Sequence, residues 1–461
     1  MIELNEMDRV IFREYDIRGV VETDLTLEVV NNIGKAFGTV VKRVGGKAVT
    51  VGQDARESSP ILRDSIVSGI LSTGVNVVQI GLVPTPLLYY SLHHLKVDGG
   101  VMITGSHNPP EFNGFKLNLG KDSIHGLAIQ EMADMIEKGD FEKGQGSVAE
   151  TDVIEDYIVM VKEKINLTKS LSIVLDCGNG CGGILGPRLM RELGCEVDEL
   201  YCEVDGSFPN HHPDPTVPSN LKDIQERVIE IGADVGFAYD GDADRIGVVD
   251  EKGGIIFGDQ LLMIFAREIL KRKPGAAIVF DVKCSQNLVD DILKQGGRPV
   301  LNATGHSLIK SRLSKEGAEL AGEMSAHIFF KDGFFGFDDA IFATARFLRI
   351  MSQTNMKVSE FLADTPLLYN TPEIRVDCPD ENKFDVVNDI CAYFKKDYDV
   401  IVIDGARVNF DGGWGLIRAS NTQPVLVMRF EAKSENRLKE LKEIVYQKLI
   451  TYPSLEGLNP F

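Results

Sequence analysis

Short apolar runs alternate with stretches of helical period from Ala48 to about Ala321, and the alternation recurs three times. Each unit opens on a strand-like run closed by an aspartate: Ala48–Gln53 before Asp54, Ser172–Leu175 before Asp176, and Ala277–Phe280 before Asp281. A helical pattern and one or two glycines follow, then a second apolar run at Val75–Ile80, Cys195–Tyr201 and Pro299–Leu301. A third run then opens on glycine: Gly99–Ile103, Gly232–Ala238 and Gly317–Ala321. Short strands separated by helices predict βαβ units, with a mainly parallel sheet covered by helices. The repetition predicts three related α/β domains in series.

From about Leu367 the rhythm changes. Strand-like runs at Asp404–Asn409, Leu416–Arg418 and Val425–Ala432 are separated by turn residues, and a helical pattern covers Asn436–Leu449. This predicts a smaller α+β domain. Gly- and Pro-punctuated stretches at Gly139–Asp152, Glu251–Gly254 and Asp364–Pro372 read as linkers. The expected domains are therefore 1–151, 152–254, 255–366 and 367–461, the first three with mixed, mainly parallel sheets.

A length of 461 residues fits three or four domains. No apolar run approaches the ~20 residues of a membrane span; the nearest, Leu261–Leu270, is interrupted by Arg267 and Glu268. Met1–Val10 carries early acids and no basic stretch before an apolar one, so a cytoplasmic location is expected. Seven cysteines in so long a chain read as reduced thiols. The net charge of −20 argues against nucleic acid or an anionic membrane as a partner. An anionic small substrate then requires a few well-placed cations acting against the field of the whole molecule.

Ligands of open α/β sheets sit outside the carboxyl ends of the strands. At that point the three repeats place Thr104-Gly-Ser-His-Asn-Pro-Pro110, Asp240-Gly-Asp-Ala-Asp-Arg245 and Gly322-Glu-Met-Ser-Ala-His327, which therefore face a common cleft. Asp240, Asp242 and Asp244 alternate, so in an extended stretch they share one face. Carboxylates that close repel unless a cation lies between them, and an all-oxygen set suits Mg²⁺; a solvated acidic turn is the plainer reading. Ser106 is a candidate nucleophile with His107 or a more distant base, or else a turn serine satisfying backbone amides. Its surroundings are not the Gly-x-Ser-x-Gly elbow of hydrolases. Arg418-Ala-Ser-Asn-Thr422 gathers a guanidinium, hydroxyls and an amide suited to phosphate, or forms a polar hairpin turn.

Gly178–Gly183 satisfies the G-x-G-x-x-G dinucleotide pattern, which makes an NAD-dependent dehydrogenase a remote alternative. That reading leaves Ser106, the aspartates and the Arg418 loop without a role. Cys177 and Cys181 lack a second Cys/His pair at zinc spacing. His93-His94 and His211-His212 read as structural.

Together, the four loops resemble the α-D-phosphohexomutase family, closest to its bacterial phosphomannomutase/phosphoglucomutase members, over essentially the whole chain. The resemblance implies four domains around a central cleft and interconversion of hexose 6-phosphate and hexose 1-phosphate, with mannose or glucose as the sugar. It implies that Ser106 is carried as phosphoserine, and that one Mg²⁺ per chain is held by Asp240, Asp242, Asp244 and a phosphoserine oxygen. A hexose 1,6-bisphosphate is the implied intermediate and activator. Glu323, Ser325 and His327 are implied to contact sugar hydroxyls, and Arg418, Ser420, Asn421 and Thr422 to grip the non-reacting phosphate. Tyr15, Arg18, Lys116, Arg245, Lys283 and His306 match further cleft positions, with Lys116, His306 and Arg18 as candidate bases in that order. Ala326 stands where the family usually has glycine. Phosphoglucosamine mutase is the alternative within the family; Ala243 and Met324 depart from its usual Gly and Gln. The implied partners are phosphosugars, with no nucleic acid or membrane, and the implied assembly is a monomer or weak dimer.

Overall fold

The computed structural model describes residues 8–420, 423–455 and 459. The repeat is present as three versions of one topology. In each, the first strand is central: Ala48–Gln53, Ser172–Asp176 and Ala277–Asp281. It runs parallel to the second strand on one side (Asn76–Leu82, Glu196–Leu200, Arg298–Asn302) and to the third on the other (Gly99–Ile103, Val235–Tyr239, Leu320–Gly322). A strand the apolar pattern did not flag then returns antiparallel beside the third: Phe112–Leu119, Ile246–Asp250 and Ile328–Phe330. Each sheet is therefore mixed, with a parallel centre and an antiparallel edge. The antiparallel return strands escaped notice because they are joined by hairpins rather than helical crossovers.

The remaining sheet is wholly antiparallel, its central strands Ala406–Phe410, Gly413–Ala419 and Val425–Ala432 packed on helices Asp380–Phe394 and Glu435–Leu449. Glu251–Gly254, expected as a linker, is instead a hairpin turn inside the second sheet. Asp250 accepts the Lys252 and Gly254 amides there, and Ile255–Ile256 pairs back onto Ile246–Asp250. The Gly139–Asp152 stretch likewise contributes an edge strand, Val148–Glu150, beside Asn76–Leu82.

The cores are unevenly shared. One continuous apolar cluster joins Leu87 and Tyr89 of the first unit to Tyr157 and Leu175 of the second and to Phe265, Phe280 and Phe347 of the third. The C-terminal domain keeps its own core around Ile390, Ile417, Met428 and Leu441, and meets the third unit through the small apolar contact of Val282 with Trp414 and Leu416. The three α/β units are thus welded by apolar surface, whereas the fourth is attached largely by polar contacts. Among the described residues, no helix is long and apolar enough to cross a membrane.

His93, on helix Thr85–His94, packs its ring 4.6 Å from that of Phe335. Burial, with Lys121 and Lys331 nearby, lowers its pKa from 6.5 to about 4. Below pH 6.5 the unfolded chain binds this proton and the folded chain does not, so stability falls as the pH drops from 6.5 towards 4. Urea midpoints measured across that window should fall less steeply for His93→Leu than for the parent chain.

Candidate active site

The three candidate loops occupy one topological position. Each connects the third parallel strand to its antiparallel neighbour: Ile103 to Phe112, Tyr239 to Ile246, and Gly322 to Ile328. The Arg418 loop is also a hairpin connection, from Ala419 to Val425.

Ser106 is buried and takes a left-handed backbone (φ 49°), a conformation costing an L-residue about 1–2 kcal/mol. Its amide donates to Thr104 Oγ1 at 2.8 Å, and the Gly105 amide donates to Asp54 at 3.0 Å. Beneath the turn, the buried Arg56 guanidinium donates to the carbonyls of Ser106, Asn108, Pro109 and Phe112 and pairs with Asp54 at 3.2 Å. Arg56 thus holds the strained turn open. The Ser106 hydroxyl lies 3.0 Å from Asp240 Oδ2, to which it donates, and 3.1 Å from His107 Nδ1. Gly241 is required at the crossing of the two loops: a Cβ there would lie 2.5 Å from the Ser106 carbonyl oxygen.

Asp240, Asp242 and Asp244 are fully buried, with one oxygen of each within 4.8 Å of the others. Burial and the two neighbouring carboxylates push the Asp240 carboxyl well above its usual range. Against the same desolvation, Lys116 and His327 hold that of Asp244 well below it. Lys116 Nζ donates to Asp242 at 2.8 Å and also to Asp244. Asp242 Oδ1 is buried without a hydrogen-bond partner. An orphaned carboxylate oxygen beside two further carboxylates and the Ser106 hydroxyl is the donor set a hard divalent cation takes, so these residues fit Mg²⁺.

The sugar-loop candidates adjoin the triad. His327 bridges Asp244 at 3.1 Å and Glu323 at 2.9 Å, and against burial these acids raise it to about 9. Arg245 Nε lies 3.2 Å from His327 Nε2, and the Ser325 hydroxyl 3.3 Å from His327 Nδ1. Ala326 takes φ 64°, which explains the expectation of glycine there, and Ala243 in the metal loop takes φ 57°. His306 opens helix His306–Glu316 with its ring 5.7 Å from that of His327, and burial, reinforced by Lys310, drives its pKa well below the usual range.

Thr304 is the junction of three domains. Its carbonyl accepts from Tyr15 at 2.7 Å, its amide donates to Asp404 at 3.0 Å, and its hydroxyl donates to Asp281. Asp404 also accepts from Arg418 at 2.9 Å, while Lys283 lies 3.9 Å from Asp281 and 3.4 Å from Glu373. Arg18 reaches Asn108 in the Ser106 loop. Ser420 is buried with its hydroxyl accepting from the Gln423 amide, while Asn421 and Thr422 lie outside the described residues. Lys116, Arg245, His306 and His327 gather around the triad, and Lys283 and Arg418 around Asp281, Asp404 and Thr304, rather than being dispersed over the acidic exterior.

Four family models match the chain in succession: phosphoglucomutase/phosphomannomutase alpha/beta/alpha domains I, II and III at residues 9–143, 155–254 and 257–369, and the C-terminal domain at 373–448. The chain belongs to the phosphoglucomutase/phosphomannomutase family. Curated relatives include a phosphomannomutase/phosphoglucomutase of Pseudomonas aeruginosa, 46% identical over 95% of both chains, and a Neisseria gonorrhoeae phosphoglucomutase, 44% identical over 94% of this chain and 95% of that one. The crystal structure of a phosphoglucomutase/phosphomannomutase family protein of Burkholderia thailandensis superposes with a TM-score of 0.93 at 42% identity, covering 99% of this chain and all of that one. Likeness of this extent makes the chain a hexose phosphate mutase. A structure at 16% identity, the Aspergillus fumigatus N-acetylphosphoglucosamine mutase with GlcNAc-6P and magnesium, shares the fold at a TM-score of 0.62 over 95% of each chain.

In this member of the phosphoglucomutase/phosphomannomutase family the glycines of Gly178–Gly183 serve packing, not a dinucleotide. A Cβ on Gly183 would lie 2.0 Å from the Cys202 carbonyl oxygen, and one on Gly180 2.6 Å from that of Gly241. Cys177 and Cys181 are free thiols, and His211 pairs with Asp176. Sequence reasoning missed Arg56, Thr304, Asp404 and the pair of half-buried Lys310 with buried Asp338, 3.4 Å apart beside His306. A signal was present for the strand-closing aspartates: Asp54 holds the Gly105 amide, and Asp281, its counterpart in the third repeat, holds that of Met324.

Two outcomes follow. Arg56→Met strands a buried carboxylate and four carbonyls and should cost about 3–5 kcal/mol, read from urea unfolding. Asp242→Asn should weaken Mg²⁺ binding at least tenfold by calorimetric titration, the equivalent of ~1.4 kcal/mol.

Proposed function

We propose that the enzyme interconverts the 6-phosphates and 1-phosphates of mannose and glucose through a phosphorylated Ser106 and a hexose 1,6-bisphosphate. The single observation that carries this reading is the Ser106 hydroxyl 3.0 Å from the buried triad, on a turn that Arg56 and Asp54 hold in a strained conformation. Phosphoryl transfer depends on in-line positioning and charge stabilisation, and a fixed Ser106 hydroxyl beside a buried acidic triad supports that reading.

In the forward half-reaction the bond between Ser106 Oγ and phosphorus breaks as the free hydroxyl oxygen of the bound sugar monophosphate bonds to phosphorus. The hydroxyl proton passes to a base. Lys116 is the first candidate, His306 the second and Arg18 the third; burial keeps His306 neutral but weakens it as a base, while Asp242 and Asp244, against burial, hold Lys116 protonated in the free enzyme. When bound by Asp240, Asp242, Asp244 and a phosphoserine oxygen, Mg²⁺ supplies charge neutralisation at the transferring group. Arg245 and His107 flank the transfer, Glu323, Ser325 and His327 read the sugar hydroxyls, and Tyr15 and Lys283 line its path. Arg418, Ser420, Asn421 and Thr422 hold the other phosphate. The bisphosphate turns over in the cleft, and its second phosphoryl group returns to Ser106. Ala243 and Met324, together with relatives named for mannose and glucose, favour those sugars over glucosamine. The setting proposed is the cytoplasm, and the assembly a monomer or weak dimer.

Intact-mass measurement of the purified enzyme incubated with glucose 1,6-bisphosphate should show one added phosphoryl group, absent in Ser106→Ala together with mutase turnover. A Ser106→Ala protein that retains both discards the reading. Turnover of glucose 1-phosphate and mannose 1-phosphate should exceed that of glucosamine 1-phosphate; the reverse order reassigns the sugar.

A further inference from the structure

Lys283 belongs to the third domain by sequence, but the fourth domain holds the segment that carries it. Arg407 Nη1 donates to the carbonyls of Val282 at 2.8 Å and Cys284 at 3.0 Å, and Arg429 Nη1 to the carbonyl of Lys283 itself. Two arginines of the fourth sheet therefore grip three successive carbonyls. Downstream, the Gln286 amide donates to Glu431, which also accepts from Trp414 Nε1. The Lys283 ammonium in turn lies 3.4 Å from Glu373 of the fourth domain.

Arg407 is costly in its place. It is 1% exposed, stacked 4.0 Å over Trp414, and its Nε and Nη2 have no hydrogen-bond partner. Buried N–H groups left unpaired are each destabilising, and an apolar side chain of similar volume would avoid them. What an apolar side chain would lose is the fork that fixes two carbonyls on either side of Lys283.

We propose that Arg407 and Arg429 are positioning residues for the reaction: they fix the Val282–Cys284 backbone and thereby set the Lys283 ammonium in the phosphosugar site. The inference rests on the substrate contact assigned to Lys283 under the proposed function. One domain then sets both the Arg418 clamp and the Lys283 contact, so the two cations keep a fixed spacing around the same ligand.

The test is a double-mutant cycle on the full-length enzyme with Mg²⁺, reading KM and kcat for glucose 1-phosphate alongside the melting temperature. Lys283→Met and Arg407→Met should each raise KM by roughly tenfold or more. The double variant should be no worse than Lys283→Met alone, because Arg407 acts through Lys283. Any shift in melting temperature caused by Arg407→Met should instead be the same in both backgrounds. Full multiplication of the two KM effects overturns the tether while leaving the role of Lys283 intact. An unchanged KM in Lys283→Met removes that role, and the tether with it. Should Arg407→Met fail to fold, Arg429→Gln carries the same cycle through the Lys283 carbonyl.

Discussion

Three carboxylates buried within 4.8 Å of one another are the constraint on which the rest of this molecule depends. Desolvation and mutual repulsion disfavour their joint ionisation, so the fold must supply positive charge from outside the loop that bears them. It does so across domain boundaries: Lys116 arrives on the antiparallel return strand Phe112–Leu119 of the first domain and His327 on the sugar loop of the third. The same logic accounts for the apolar cluster that joins part of the first unit to the second and third, since counter-charges on two neighbouring domains are useful only when the domains keep their register.

An acidic protein that handles phosphosugars is consistent on these terms. Its overall charge of −20 is the excess of 69 acidic over 49 basic residues, and many of the bases are neutralised in exposed pairs such as Arg43 with Asp140 and Arg188 with Glu155, which contribute little each. The cations with lasting influence are buried: Lys116, Lys283 and Arg418, with His306 and His327 beside them. Low local polarisability makes each count for more than a surface lysine.

The fold class was legible because a repeated apolar rhythm reports strand order directly, and the three site loops were legible because they sit at equivalent ends of that rhythm. The antiparallel return strands were not, since a hairpin leaves no helical spacer to mark them, and Glu251–Gly254 was mistaken for a linker because turn chemistry inside a sheet and between domains uses the same residues. Arg56 and Thr304 were invisible for a different reason. Their importance lies in partners 50 to 289 positions away in the chain, and no local pattern encodes such a meeting. Ala326 shows the converse case: an alanine where glycine is expected is visible in sequence, yet only the backbone angle reveals the strain it carries.

Because three of the four loops are hairpin connections of one kind, the chain has no freedom to lengthen or shorten them. One residue gained between Tyr239 and Ile246, or between Gly322 and Ile328, would slide a carboxylate or a histidine off its partner in another domain. Growth is permitted elsewhere, for instance in the irregular excursion from Cys202 to Val217. Relatives that diverge in size should therefore have absorbed their insertions in such excursions, and the lengths of these hairpins are the ruler by which a distant member can be aligned when its residues have changed.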